Sequence, residues 1–171
     1  EKSRIAGSIA AGALDEVAKI VKPGISTNEI DKVCYEFIND FGAYSAPLYY
    51  RGFPKSCCTS SNHVVCHGIP SDKILNEGDI VNVDVTAYKD GWHGDTSRMF
   101  GIGEVSIKAK KLINVTYESM MMAIKIVKDG IQLGDIGYTI QNYVETEGFS
   151  VVQDFCGHGI GQTFHKEPNI L

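Results

Sequence analysis

The chain has 171 residues, 43% of them hydrophobic and 22% charged, with a formal net charge of −5. That length suffices for one domain with a real core, and the composition is ordinary for a soluble globular protein. The acidic balance without a basic stripe excludes a nucleic-acid footprint; no apolar run approaches the roughly 20 residues of a membrane span, and nothing resembles a signal peptide. A first helix is predicted from about Glu1 to Val21, closed by Pro23-Gly24. Ser26 and Glu29 form a capping-box pattern that opens a second helix. Its apolar stripe is Ile30, Val33, Cys34, Phe37 and Ile38, and Gly42 is the stop. His63 falls in a loop after Ser60-Ser61-Asn62 and is assigned no role. A third helix is predicted from about Ile107 to Lys128, with Leu112, Val115, Met122 and Ile126 on its buried face. The Met120-Met121-Met122 run reads as core filling rather than a ligand box. A fourth helix follows from about Leu133 to Glu147.

The five cysteines are Cys34, Cys57, Cys58, Cys66 and Cys156. An odd number with two adjacent is no disulfide framework, and without a CxxC pair a structural zinc site is not expected. Reduced thiols and a cytoplasmic location are the expectation.

Between the two helical stretches lies VNVDVTAYKDGWHGDTSRMF, from Val81 to Phe100. Val81, Val83 and Val85 alternate with Asn82, Asp84 and Thr86, a period of two that buries the valines and turns the polar set to the other face. Asp90-Gly91 is a two-residue turn signal. With that loop, residues whose numbers sum to 181 face each other, so Asp84 opposes Ser97 and Thr86 opposes Asp95. A loop at Lys89-Asp90 would instead set Asp84 directly opposite Asp95. Either register gathers two carboxylates about one strand spacing apart, roughly 5 Å. Like charges so placed are destabilising. Two readings stand at this point: a solvated hairpin face with two ordinary acids, or a cation held between them.

The chain also repeats itself. KIVKPGI at 19–25 returns as KIVKDGI at 125–131, an offset of 106, and Glu29, Ile30, Phe37 and Gly42 map to Asp135, Ile136, Tyr143 and Gly148. Only two copies exist, which argues for two similar halves of one domain rather than a solenoid. Further on, Cys66-His67-Gly68-Ile69 matches Gly157-His158-Gly159-Ile160 at an offset of 91. The reading is a single catalytic domain over 1–171, with repeat one at about 1–105 and repeat two at about 106–171 and beyond. No counterpart of the aspartate hairpin follows His158, so the parent polypeptide is expected to continue past Leu171 with further acidic ligands.

The repeat singles out two of the five histidines, because His67 and His158 each precede Gly-Ile at equivalent places; a two-fold-like arrangement would bring them towards one centre. His165 lies in the glycine-rich segment after His158. His93, two residues before Asp95, shares the aspartate face on a continuous strand. Imidazole with two carboxylates suits divalent Mn, Fe, Co or Zn better than Ca. An open position on such an ion activates a water. GHGIG lacks the strand-to-helix context and following Lys-Ser/Thr of a phosphate loop.

Three long segments in order, GFPKSCCTSSNHVVCHGIP (52–70), GDIVNVDVTAYKDGWHGDTSRMF (78–100) and CGHGIGQTFHKEPNIL (156–171), resemble the type I methionine aminopeptidases. The likeness covers essentially the whole chain. It implies an α+β pita-bread fold, a pseudo-two-fold repeat whose antiparallel sheet is covered by two pairs of helices, with the last strands missing here. It implies two divalent ions (cobalt, manganese, iron or zinc) held by Asp84, Asp95 and His158, with Asp95 bridging. His67 would contact the substrate and His165 would hydrogen-bond near the scissile peptide. Tyr50, Cys58 and Phe164 match the methionine pocket. Phe53 stands where a tyrosine is common, a departure that bears on a hydrogen bond and not on the apolar wall. Two glutamate ligands of the family have no counterpart, Glu167 being too near His165.

The implied activity is removal of the initiator methionine from nascent polypeptides, by attack of a metal-bound water on the first peptide bond. The implied partners are nascent peptides with N-terminal Met and a small second residue, with transient ribosome association, no membrane, and a monomeric enzyme. The rival readings are a proline-specific peptidase of the same fold, a non-catalytic scaffold, and an inactive fragment.

Overall fold

The computed structural model describes residues 1–171. Its chain divides into two compact units, Glu1–Val105 with Ile160–Phe164, and Ser106–Gly159 with His165–Leu171.

The first unit is a sheet with two helices on one face. Helix α1 (Lys2–Ile20) buries Ala6, Ile9, Ala10, Ala13, Leu14 and Val17, the three-and-four spacing of one helical stripe. Helix α2 (Thr27–Asp40) opens with the expected capping box. The Ser26 backbone N–H donates to Glu29 Oε2 at 2.8 Å, and the Glu29 backbone N–H donates to Ser26 Oγ at 3.2 Å. Those hydrogen bonds from Ser26 hold the Glu29 carboxyl below its usual range. Ser26→Ala should cost about 1 kcal/mol, seen as a lower urea midpoint at unchanged slope.

Strand β3 (Ile80–Lys89) is the centre of the sheet and β4 (Trp92–Gly101) pairs along its whole length. The register is the 181 one: Asp84 faces Ser97 and Thr86 faces Asp95. Asp90 and Gly91 make the turn with φ of 49° and 85°, the two positive values of a type I′ hairpin. The other edge of β3 carries β1 (Tyr44–Ser45) near its end and β2 (Cys58–Ser61) near its start. Val81, Val83, Val85 and Ala87 point to the helices and are fully buried, each valine contributing about 1.5–3 kcal/mol by that burial. The alternation leaves Asn82, Asp84 and Thr86 on the opposite face.

The second unit repeats the helical half. Helix α3 (Ile107–Ile126) ends 106 residues after α1, and α4 (Leu133–Thr146) spans the positions of α2 shifted by 106. Val21 and Val127 leave their helices with nearly the same angles, φ −66° and −67°. Gln132 and Asp135 form a second capping box. The rest of the unit is a hairpin of β5 (Gly157–Gly159) and β6 (Lys166–Ile170).

One expectation fails in this unit. Leu112, Met120 and Met122 are 39%, 44% and 40% exposed, so they are neither a buried face nor core filling. The buried residues of α3 are Val115, Ser119 and Ala123.

Candidate metal centre and substrate wall

Three strands contribute to the polar face of the first unit. Cys58 on β2 faces Asp84 on β3, which faces Ser97 on β4. Two pairs along, Asp95 faces Thr86, so the two aspartates are diagonal neighbours, within reach of each other on one face. Burial and then the Asp95 carboxylate beside it push the Asp84 carboxyl up to about 7. Asp84 is half-buried and Asp95 exposed at the rim of the same face, so two carboxylates compete for one place, an arrangement whose repulsion a divalent cation would relieve.

Cys58 is buried and its thiol is pushed up to about 12, first by burial and then by Asp84 and Asp95. It is a neutral thiol at physiological pH, which suits neither a nucleophile nor a thiolate ligand. Cys66 is shifted the same way by burial and Asp84. All five cysteines are free thiols.

His67 follows Cys66 in a loop that returns onto β2. Thr59 N donates to Gly68 O at 2.8 Å and Gly68 N donates to Ser60 Oγ at 3.1 Å. A Cβ on Gly68 would lie 2.2 Å from Thr59 O, so only glycine permits the approach. His67 itself takes the left-handed conformation at φ 55°, strain that its surroundings must hold in place.

The aromatic wall is built on a second strained loop. Tyr49, Arg51 and Gly52 have φ of 64°, 50° and 86°. Tyr50 sits between them, its ring centroid 4.9 Å from that of Phe164, with the Arg51 guanidinium 5.4 Å from the centre of the Tyr50 ring. Phe53, half-buried, closes the loop by accepting from Tyr49 N at 2.7 Å. His93 fixes the far side. Its ring stacks on Phe164 at 5.3 Å and 13°, its Nδ1 is 2.9 Å from Gly161 O, and its backbone N–H donates to the same oxygen at 2.8 Å. His93 thus ties segment 160–164 to β4, a structural part that its place on the aspartate face did not reveal.

His158 and His165 belong to the second unit, with ring centroids 4.3 Å apart. His158 Nδ1 lies 3.0 Å from Gly159 O. A carbonyl can only accept, so Nδ1 carries the proton and Nε2 keeps the lone pair a metal ligand requires. Nowhere in the chain are three or more His, Cys, Asp or Glu side chains gathered as a metal cage. What the structure does present is the Asp84–Asp95 pair and a suitably tautomeric His158.

The model of Metallopeptidase family M24 matches residues 1–171. The chain belongs to this family. It is 57% identical over 170 residues to a methionine aminopeptidase of Rickettsia prowazekii, covering 99% of this chain and 66% of that protein. It is 54% identical over 173 residues to a methionine aminopeptidase of Escherichia coli K12, covering 100% of this chain and 66% of the relative. The crystal structure of the Rickettsia prowazekii enzyme superposes with a TM-score of 0.97 at 56% identity, over 98% of this chain and 68% of that one. The M24 chain therefore has the pita-bread fold, and it spans about two thirds of the length of these relatives.

The helices of this M24 chain hide one further charged side chain beside the site. Asp31 on α2 is buried, and its carboxylate grips the residues that precede Cys58. The signal was an acid placed one turn before Cys34 on the rim of an apolar stripe, since buried carboxylates are rare unless paired.

Proposed function

We propose that the protein removes the N-terminal methionine of nascent polypeptides, as a metal-dependent aminopeptidase of the cytoplasm. The observation that carries the reading is the Asp84–Asp95 carboxylate pair on one sheet face of an M24 chain. Identities of 57% and 54% to proteins named methionine aminopeptidase support it.

Asp84, Asp95 and His158 are the residues that would hold two divalent ions of cobalt, manganese, iron or zinc. Bound there, the ions supply a Lewis acid that polarises a carbonyl and lowers the pKa of a water. Asp84 also offers an acceptor for the substrate's free amine. His67 and His165 supply imidazole donors for the oxygen that becomes negative as the peptide bond is attacked. Cys58, Tyr50, Phe53 and Phe164 give the methionine side chain an apolar wall. Limited room beyond that wall favours a small second residue, and brief contact with the ribosome would present fresh N-termini.

Turnover of matched peptides tests this. With manganese or cobalt supplied, Met-Ala-type peptides should be cleaved at least about 100-fold better than Ala-Pro-type peptides, the discrimination a shaped apolar pocket provides. Chelation should stop the reaction. Comparable cleavage of Ala-Pro peptides would move the assignment to a proline-specific enzyme of the same fold.

A further inference from the structure

We infer that Asp31 is a positioning residue for the substrate wall: its carboxylate fixes where β2 begins and so holds Cys58 opposite Asp84. The inference rests on the reading of Cys58 as part of the methionine pocket. Asp31 is only 8% exposed. Its Oδ1 accepts from Ser56 N at 2.8 Å, Ser56 Oγ at 3.0 Å and Cys57 N at 3.1 Å, with Cys57 Sγ at 3.7 Å. Its Oδ2 lies 4.0 Å from Lys55 Nζ, and that amine donates to Asn28 Oδ1 at 2.7 Å. Every one of these donors belongs to Lys55, Ser56 or Cys57, the three residues directly before β2.

The need for such a clamp follows from the strand. β2 has four residues and lies at the edge of β3. Strands this short are weakly specified, and a slip of one residue turns every side chain to the other face. A slipped β2 would turn Cys58 into the core and bring Cys57 or Thr59 to face the aspartates. The valine face of β3 cannot prevent this alone, because Cys57, Cys58 and Thr59 are all small enough for either side. A carboxylate anchored on α2 and bonded to two successive backbone N–H groups leaves one register.

Site-resolved alkylation of the full chain with iodoacetamide tests the inference, with hydrogen exchange of the α1 amides read in parallel. Asp31→Ala should raise the alkylation rate of Cys58 at least about tenfold while α1 keeps wild-type protection, the pattern of a local rather than global opening. Asp31→Asn retains an acceptor and should stay within about threefold of wild type. Should Asp31→Ala fail to fold, Ser56→Ala, which removes one donor, carries the test with a rise of about threefold. Cys58 and α1 opening together would make Asp31 a contributor to global stability only, and unchanged Cys58 labelling would equally overturn the inference. In turnover, Asp31→Ala should raise KM for a Met-Ala peptide more than it lowers kcat, and Asp31→Asn should restore KM towards wild type. A wild-type protein that turns over no such peptide would sink the aminopeptidase reading while leaving the alkylation result intact.

Discussion

Asp95→Asn is expected to abolish divalent-ion-dependent turnover and, without added metal, to leave the protein at least as stable as wild type. The two effects have one cause. Asp95 adds its negative charge to the polar face of the hairpin, where Asp84 is already pushed up to about 7 by burial and by Asp95. An amide keeps the shape of the carboxyl but neither its charge nor two equivalent acceptor oxygens. An ion held at this site would contribute several kcal/mol to the reaction, and at about 1.4 kcal/mol per tenfold its loss would be on the order of a thousandfold in rate. Calorimetry with manganese should show heat of binding in the wild type and none in the variant. Unchanged turnover in Asp95→Asn would remove the aspartate pair from the active site.

The same pair sets a pH dependence in the metal-free chain. Asp84 titrates at about 7 in the folded state against an ordinary 3.8. Between those values the folded state holds a proton that the unfolded chain has released, so folding stability falls as pH rises from about 4 to about 7 and is level beyond. The decline is on the order of a few kcal/mol. In chelator, Asp84→Asn should therefore melt above wild type at pH 8 and equal to it at pH 4. Asp95→Asn should show a smaller gain, because burial is the larger cause of the shift. Added manganese should reverse the order at pH 8, since an ion that binds only the folded wild type stabilises only that form. Parallel melting of all three proteins in chelator across this range would mean the pair is not strained.

Much of this geometry was legible in the chain. The Asp90-Gly91 turn decided between two registers because both residues adopt positive φ, a requirement visible in their identities. The 106-residue offset between KIVKPGI and KIVKDGI carried over to helix ends and caps, since those are local properties. What escaped was tertiary. Nothing near Asp31 in sequence says that its hydrogen-bond donors lie 25 residues away at Ser56. His93 shared a face with Asp95, but its partners Gly161 and Phe164 come from a distant segment. Leu112, Val115 and Met122 fitted the spacing of one helical face, yet only Val115 is buried, because spacing tells which side chains share a face and not what covers it.

Gly94→Ala should be among the most damaging single-methyl changes in the first unit, costing about 3 kcal/mol or more, the upper end of what overpacking does. Gly94 pairs with Ala87 on the helix-facing side of the sheet, next to Asp95. A Cβ there would lie 2.0 Å from Gly7 N, 2.4 Å from Ala6 C and 2.5 Å from Gly7 Cα. All three are backbone atoms of α1, so no rotamer change relieves the clash. The helix would have to lift by roughly 1–1.5 Å to reach ordinary contact distances, parting the Ala6, Ala10 and Ala13 face from Val83 and Val85. Gly7 supplies the control. A Cβ on Gly7 meets nothing within 4 Å, so Gly7→Ala adds the same methyl at the same crossing and should stabilise by up to about 1 kcal/mol through helix propensity. Urea midpoints of opposite sign for the two variants would locate the constraint in the approach of α1 to β4. Since Asp95 is bonded directly to Gly94, a bent β4 should also weaken manganese binding in Gly94→Ala and leave it unchanged in Gly7→Ala. Equal, small effects at both glycines would mean that the helix yields easily, and that the aspartate pair is held by the hairpin alone.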